Sequence, residues 1–400
     1  MKQCFFVKHL YLHSLLLLSL MVSVISWCGN RIVPAITEGA QPMEYRTSVY
    51  LDQNFPIPIT GSGDLTITRS GWYALSNSIT GDIIIEADCV QLDCHGYAIN
   101  GQIYINANYV TIDMQSGWVY TATPAKDGIK IANSRHDIMI TGGTIGPVTQ
   151  YGIYVDGQSG RCYNITIQNM KIVNFTYSGL HLIYTDNSTI AHCTISSTLS
   201  AASVRGLYLV NATKVVVHNC SVKGLINQDT SSPVYCYGFE TSECSDIYFY
   251  DCQALEISVS SAATEQHARG FECSDSNRII YEQCIAENIS AATTAFGIYL
   301  ATSNECIIEQ CNCNDIQAFQ ARGIFINNAT NSVCIDNLIG NVLDISGTGY
   351  GIVLSDESNN SIAKNVVYNC STSNYSGVGN IQSGYRGTHF MYNVALPLAP

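Results

Sequence analysis

Two glutamates have the spacing best suited to acid–base chemistry in this chain of 400 residues. Glu240 and Glu272 each lie two residues after a glycine in a repeated segment. If the repeats stack in register, the two carboxylates become neighbours, and like charges so close need an arginine, a cation or a shared proton. Arg269 and His267 lie nearby in sequence. Such a group could catalyse cleavage of a glycosidic bond or remove a proton beside a uronate carboxylate.

The same residues also have a purely structural interpretation. Glu240 and Glu272 could form a surface pair that Arg269 neutralises, with no reaction taking place. The sequence indicates no metal-binding cluster and no cofactor, although a divalent cation such as calcium could lie between the two carboxylates. Both interpretations stay open at this point.

Arginine and aromatic residues alternate at the position before the repeated glycine. From Arg205 onwards, stacked repeats would place guanidinium planes between aromatic rings, and such cation–π pairs could simply stabilise a corner of the structure. This column of alternating arginine and aromatic residues could also bind sugars, because aromatic faces pack on sugar rings and arginine forks bind carboxylates. The residues predicted to bind a polysaccharide or cell-surface glycan are Arg205, Arg322, Tyr208, Tyr237, Tyr299 and His181.

Five cysteines each lie 14 residues after a repeated glycine. They could form a metal or redox array, or an interior ladder of free thiols in which cysteine acts as a small buried hydrophobe. The ladder is favoured, because the cysteines follow an inward-facing strand and no C-x-x-C spacing occurs. Better disulfide candidates are Cys89 with Cys94, and Cys236 with Cys244. The predicted ladder consists of Cys193, Cys220, Cys252, Cys284 and Cys311.

These columns depend on a repeat that runs through most of the chain. A glycine followed by an apolar residue, any residue and another apolar residue recurs every 24 to 32 residues between Gly128 and Gly351. A second alternating run precedes each cysteine, and period-two alternation marks a strand with one buried face. Length varies only between the cysteine and the next glycine. Two short strands and one elastic loop per repeat are typical of a β-solenoid, whose equivalent residues stack about 4.8 Å apart.

The first repeats carry a family resemblance. Ser70–Leu75, Gly81–Ile85 and Val90–Ile99 resemble the opening coils of right-handed parallel β-helix proteins of the pectin-lyase-like superfamily, where a leucine–aspartate pair followed by a glycine leads into the next strand. The resemblance implies an all-β fold, a single-stranded right-handed parallel β-helix of roughly 10–12 coils. It does not select an activity, because that superfamily mixes lyases, hydrolases, epimerases and non-enzymatic adhesins. The Gly-His-Gly of its polygalacturonases and the Asp-Pro-His of its alginate epimerases do not occur here.

The remaining segments and the charge limit where the protein acts. Basic residues followed by the apolar run Leu15–Trp27 predict a signal peptide or membrane anchor over 1–28, so the protein would be secreted, periplasmic or on the cell surface. Contact with a membrane is expected only through this segment. The β-helix itself is expected at 66–376, between an irregular N-terminal cap at 29–65 and a C-terminal cap at 377–400. A net charge of −13 argues against a nucleic-acid partner.

Three functions fit these observations. The first is an exported β-helix that binds a polysaccharide or surface glycan without catalysis. The second is a polysaccharide lyase or glycoside hydrolase whose catalytic residues would be Glu240, Glu272, Arg269 and His267. The third is a structural or adhesive protein of the cell envelope. The sequence gives no indication of the oligomeric state or of the particular glycan.

Overall fold

The computed structural model describes residues 55–198, 201, 203–355, 359–371, 373–376, 389–391 and 394–396. Within these residues the regular secondary structure consists of strands, and every pairing between strands is parallel. The predicted parallel β-helix is thereby confirmed. The predicted leader at 1–28 lies outside the described residues, as does most of each predicted cap.

Each coil contributes to three parallel sheets that run the length of the stack. Sheet 1 contains Ile57–Ile59, Gly71–Leu75, Val90–Asp93, Val110–Asp113, His136–Ile145, Cys162–Val173, Thr185–Ala191, Thr213–His218, Ser245–Tyr250, Asn277–Glu282, Ile307–Glu309, Val333–Ile335, Ser361–Ala363 and His389–Met391. Sheet 2 contains Ile79–Thr80, Ala98–Asn100, Trp118–Tyr120, His136–Ile145, Cys162–Val173, Thr194–Ser197, Ser221–Asn227, Gln253–Val259, Ile285–Ser290, Asn312–Asn327, Leu338–Ser355, Val366–Cys370 and Val394–Leu396. Sheet 3 contains Leu65–Ile67, Ile83–Ile85, Ile103–Ile105, Ile129–Ile131, Tyr151–Asp156, Ser178–Ile183, Ser203–Val210, Val234–Ser242, Gln266–Ser274, Thr294–Ala301, Asn312–Asn327, Leu338–Ser355 and Ser373–Ser376.

The parallel pairing is longer at both ends than the 66–376 indicated by the sequence. It begins at Ile57, which pairs with Tyr73, and it continues to Leu396, which pairs with Tyr368. The sheets hold 14, 13 and 13 strands, so the stack slightly exceeds the number of coils expected. No helix long and apolar enough to cross a bilayer occurs in the described part of the chain.

The coil contains a third strand that the sequence pattern did not indicate. The segment predicted as one elastic loop includes Ser221–Asn227 and Gln253–Val259 of sheet 2, and the extra residues of the longest coils are confined to 228–233 and 260–265. A residue in the left-handed region interrupts each of these strands, namely Gly224 at φ 65° and Glu256 at φ 57°. The interruption breaks the period-two alternation, so this strand has no simple sequence signal.

The repeated glycine is required by close contact between coils. A Cβ added to Gly238 would lie 2.5 Å from the carbonyl oxygen of Gly270 and 2.8 Å from the Cβ of Ala254 on sheet 2. The same crowding occurs at the other glycines of this column, because each faces the carbonyl of the next. Side chains on either side of the glycine, such as Tyr237 and Glu240, both lie on the outer face of sheet 3. This brings the two columns expected from the sequence together on one surface.

Inward-facing side chains form one continuous core along the stack. The inward-facing Ile, Val and Leu side chains of all three sheets are buried in it. Aromatic residues stack within it at the strand spacing, and the ring centroids of Phe239 and Phe271 are 4.8 Å apart with an interplanar angle of 4°. Stacking of like residues therefore organises the interior as it organises the outer surface.

Candidate functional site

The outer face of sheet 3 carries two adjacent columns of side chains. In the first, Arg205 pairs in register with Tyr237, and Tyr237 with Arg269. In the second, Glu240 pairs with Glu272, so the two carboxylates do lie on neighbouring coils. We call this surface the arginine–aromatic strip, formed by Tyr151, Tyr154, His181, Arg205, Tyr208, Tyr237, Glu240, Arg269, Glu272, Phe296, Tyr299, Arg322, Phe325 and Tyr350.

Each arginine of the strip packs against aromatic rings. The guanidinium carbon of Arg205 lies 4.4 Å from the ring centroid of Tyr208 and 5.6 Å from that of Tyr237. The guanidinium of Arg269 lies 4.5 Å from the ring of Tyr299 and 5.3 Å from that of Tyr237. These distances are those of cation–π contacts, which strengthen when the cation is desolvated.

Each glutamate of the pair has its own arginine. Glu240 accepts a hydrogen bond from Nε of Arg205 on the preceding coil, and Glu272 forms an ion pair with Nη1 of Arg269 on its own strand. Both carboxylate side chains are only 9% exposed. Neutralisation therefore involves Arg205 as well as the Arg269 that the sequence suggested. Buried ion pairs of this kind are costly to break, because either partner alone is left charged and desolvated.

The two carboxylates differ in their surroundings. Burial raises the pKa of Glu240 to about 7, Arg205 opposes that shift, and the neighbouring Glu272 adds to it. The second oxygen of Glu272, Oε2, is buried and has no hydrogen-bond donor among the described residues, and Nε of Arg269 is likewise without an acceptor there. One carboxyl can therefore exchange a proton near neutral pH, and its neighbour has an unused acceptor.

His267 forms its hydrogen bonds away from the glutamate pair. Its Nδ1 contacts the hydroxyl of Thr294, and its Nε2 lies 3.3 Å from Oε1 of Glu265, at the edge of the 260–265 loop. Its ring stacks on Tyr235 with centroids 4.9 Å apart. Burial lowers the pKa of His267, and Glu265 opposes the shift. These contacts give His267 a place at the border of the strip and do not direct it to Glu240 or Glu272.

His181 is part of the aromatic stack. Its ring centroid lies 4.9 Å from that of Tyr208 and 5.4 Å from that of Tyr154. Both ring nitrogens are buried without a hydrogen-bond partner among the described residues. Burial, aided by the charge of Arg205, lowers the pKa of His181 to about 3, so the ring is neutral at physiological pH. It can contact a ligand as an uncharged aromatic group.

A charged cluster that sequence reasoning missed continues the strip towards the N-terminus. Asp127 occupies the position before Gly128, equivalent to Arg205, and its burial raises its pKa to about 6. Lys130 lies on the same coil as Asp127. Its Nζ is 3.9 Å from Oδ2 of Asp156 and 5.2 Å from the ring centroid of Tyr154, both on the next coil. The signal was the register itself, because Asp127 and Lys130 occupy the same two columns as Arg205 and Tyr208.

A depression on the surface of the stack does not belong to the strip. It lies beside sheet 2 and has a volume of about 310 Å³. Its lining is mostly polar and consists of Asn288, Ser290, Asp315, Gln317, Asn341 and Leu343.

The cysteines of the predicted ladder follow one another between sheets 1 and 2. The amide of Gln253 donates to the carbonyl of Cys220, and that of Ile285 donates to the carbonyl of Cys252, at 2.8 and 2.9 Å. The thiol of Cys220 contacts those of Cys193 and Cys252, and the contacts continue to Cys284 and Cys311. The column fills interior space between neighbouring coils, and its members are buried.

The two disulfides considered from the sequence are wrong, because every described cysteine is free. Cys94 faces the core and its Sγ lies 3.8 Å from Sδ of Met114, whereas Cys89 is at a turn in the left-handed region. Cys236 lies near the start of the strand Val234–Ser242, whereas Cys244 lies two residues beyond its end. Their thiols contact the carbonyls of Leu225 and Leu209, respectively. Spacing in sequence did not reveal that the two cysteines of each candidate pair have different surroundings.

Comparison with known proteins supports the architecture. A family model described as right handed beta helix region matches residues 127–296, and one described as periplasmic copper-binding protein (NosD) matches residues 218–392. No curated protein matches the sequence.

Several solved structures are similar to this chain at low sequence identity. The periplasmic alginate epimerase AlgG is 11% identical over 82% of this chain and 79% of its own, with a TM-score of 0.45. DFA-IIIase from Arthrobacter chlorophenolicus A6 is 10% identical over 72% and 74%, with a TM-score of 0.48. The A-module of mannuronan C-5 epimerase AlgE4 from Azotobacter vinelandii is 15% identical over 85% and 89%, with a TM-score of 0.39.

The copper in the second family description does not fit the described residues. No group of three or more His, Cys, Asp or Glu side chains converges as a metal site in the described part of the chain. Every described thiol except that of Cys89 is buried, and burial raises the pKa of Cys94 to about 12 and also raises that of Cys236. No chemistry is therefore assigned to a metal here.

Proposed function

We propose that this chain, a right-handed parallel β-helix protein of the pectin-lyase-like type, is an exported protein that binds a polysaccharide or surface glycan along the arginine–aromatic strip without cleaving it. The observation that carries the proposal is the unbroken succession of aromatic rings and guanidinium groups on one outer face. Repetition from coil to coil suits a ligand that itself repeats. The carboxylates within the strip are already bound by arginines, which favours binding over catalysis.

The strip offers the two contacts that sugars need. Tyr154, Tyr208 and Tyr299 are half-buried, so each is held in place while part of its ring stays accessible to the apolar face of a sugar. The loops 228–233 and 260–265 border the strip and contact each other through the hydroxyls of Ser232 and Thr264, which are 3.2 Å apart. A glycan lying along the stack would meet rings on one side and this polar border on the other.

Retention on immobilised glycans tests the proposal. Wild-type protein should be retained by at least one member of a panel of neutral and acidic polysaccharides in affinity electrophoresis. Tyr208→Ala and Tyr299→Ala should each weaken retention by roughly tenfold, since a ring contact contributes about 1–1.5 kcal/mol. Tyr163→Ala is the matched control, because Tyr163 is an exposed tyrosine on sheet 1. Equal losses in all three variants, or no retention of any glycan by the wild type, would contradict the proposal.

A second function is supported by the difference between the two carboxyls. Burial gives Glu240 a pKa of about 7, and Glu272 offers a buried oxygen without a donor, so the pair could act on a glycosidic bond as a lyase or hydrolase. Glu240 and Glu272 pair in register on neighbouring strands, and a pair of carboxyl groups is what glycosidases use. Incubation with the same panel should then release fragments, and Glu272→Gln should abolish them. A panel that is bound but never cleaved would eliminate this alternative.

A protein that neither retains nor cleaves any of the panel would fit the third function, a structural or adhesive component of the envelope. The same measurements therefore separate all three.

A further inference from the structure

The three arginines of the strip are equivalent in register but not in charge balance. Arg205 and Arg269 each form an ion pair with a glutamate. The partner of Arg205 is Glu240, which lies on the next coil two residues after its glycine. The partner of Arg269 is Glu272, which lies three residues later on the same strand. At Arg322 the two equivalent positions hold Phe325 and Val353, which are apolar.

Arg322 consequently has no counter-ion within the described residues. It makes no ion pair or hydrogen bond there, and its Nε is buried without an acceptor. Its guanidinium carbon lies 3.9 Å from the ring centroid of Phe325 and 5.2 Å from that of Phe296. Burial lowers the pKa of Arg322, but an arginine remains protonated at physiological pH.

The surroundings make an uncompensated charge at this position costly. Phe296, Phe325 and Val353 form a separate apolar cluster on the outer face, with Tyr299 and Tyr350 packed against it. The ring faces stabilise the flat side of the guanidinium, yet they offer nothing to its N–H groups, which lie in the guanidinium plane. A planar fork held between rings, with its N–H edge unpaired, is suited to an anion with two oxygen acceptors.

We propose that Arg322 is a specificity-determining residue that binds an acidic group, a carboxylate or a sulfate ester, on the glycan held by the strip. The inference rests on the proposed glycan binding and deepens it. The net charge of −13 would repel a polyanion at long range, so the preference for an acidic sugar comes from this local contact. A neutral glycan would occupy the same rings and leave Arg322 unpaired.

Matched acidic and neutral polymers test the assignment. Polygalacturonate and its carboxyl-reduced form represent the carboxylate, and dextran sulfate with dextran represents the sulfate ester. Arg322→Gln should weaken binding of the acidic member of the favoured pair by roughly tenfold to a hundredfold and leave its neutral partner unchanged. Arg322→Lys, which keeps the charge but loses the fork, should recover only part of the loss.

Arg278→Gln is the matched control. Arg278 is a partly exposed arginine on sheet 1 whose Nη2 lies 2.8 Å from Oδ2 of Asp246. Its loss should change neither acidic nor neutral binding. Thermal unfolding of each variant shows that it is folded, and Arg322→Gln should retain its transition because no carboxylate is left unpaired.

A second readout separates failure of this inference from failure of glycan binding. In NMR spectra that observe arginine side chains, the Nε–Hε signal of Arg322 should shift on titration with sodium galacturonate or a sulfated monosaccharide and stay in place with galactose, while the signal of Arg278 stays unmoved throughout. If neutral polymers are retained but Arg322→Gln alters no binding and its signal does not move with either anion, Arg322 is not an anion site although the strip binds glycans. If no polymer is retained and the signal still fails to move, both proposals are overturned.

Discussion

Glu240 shows how a single residue in the strip can be both paired and titratable. Its arginine partner favours the carboxylate, whereas burial and the neighbouring Glu272 favour the protonated acid, and the second group of effects is larger. The pKa of about 7 therefore lies well above the ordinary value of 4.5. A carboxyl of this kind makes the stability of the protein depend on pH near neutrality.

The sign of this dependence follows from which state binds the proton more tightly. Between pH 4.5 and about 7 the folded protein keeps the proton on Glu240 and the unfolded chain has lost it. The free energy of unfolding should thus fall as pH rises through this window, by roughly 3 kcal/mol for this group. Glu240→Gln should remove the effect, so that the variant gains stability relative to the wild type between pH 5 and 8 in urea unfolding.

Comparing variant with wild type isolates Glu240 from other titrating groups. His181, whose pKa is lowered by burial, has the opposite effect, because the protein becomes less stable as pH falls below 6.5. Since His181 is present in both proteins, its contribution cancels in the comparison. Glu256→Gln, an exposed glutamate 3.5 Å from Nζ of Lys223, is the control and should show no such trend. If the wild type instead becomes more stable relative to Glu240→Gln as pH rises, the ion pair with Arg205 outweighs the effect of burial.

At the scale of the strand, the repeated glycine sets how closely coils approach. Any side chain at Gly238 would push against the backbone of the next coil at Gly270. That backbone is paired with a strand on each side, so it has little freedom to move. The glycine therefore does more than permit a turn, because it holds both columns of the arginine–aromatic strip at the strand spacing.

Gly238→Ala should consequently destabilise the protein by about 2 kcal/mol, the cost of overpacking at a site that cannot relax. It should also weaken glycan retention, since Tyr237 and Glu240 on either side would be displaced. Ser242→Ala, on the same strand and partly exposed, is the control and should alter neither property. Unchanged urea unfolding of Gly238→Ala would show that the coils are not held together at this column.

The sequence predicts strands well where the alternation is regular and poorly where it is interrupted. The glycine strands of sheet 3 and the pairing of Glu240 with Glu272 followed from the repeat alone. The strands of sheet 2 did not, because residues such as Gly224 and Glu256 in the left-handed region shift the pattern. The assignment of Arg205 to Glu240 also required the structure, since side-chain direction between coils is not encoded in spacing.

At the scale of the whole molecule, each coil of the stack pairs only with the coil before it and the coil after it. Within the described residues, central coils are paired on both sides, whereas the first and last coils have one paired neighbour, so opening should begin at the ends. The core thiols report on this directly, because Cys94, Cys252 and Cys334 are each 0% exposed but lie near one end, in the middle and near the other end. Because all three are fully buried, none can react until its own part of the stack opens.

In mild urea, alkylation followed by peptide mapping should therefore modify Cys94 and Cys334 before Cys252. In native buffer all three should be protected, because a reagent cannot reach a side chain that is fully buried. For Cys94, burial also raises the pKa to about 12, so the reactive thiolate is scarce. Cys89, which is only partly buried, is the internal control and should react first under both conditions. Simultaneous modification of the three core thiols in urea would indicate that the stack opens as a single cooperative unit. Rapid labelling of Cys220 or Cys252 in native buffer would contradict a closed interior column. The alignment of every residue in the arginine–aromatic strip depends on that column, because the same register of coils produces both.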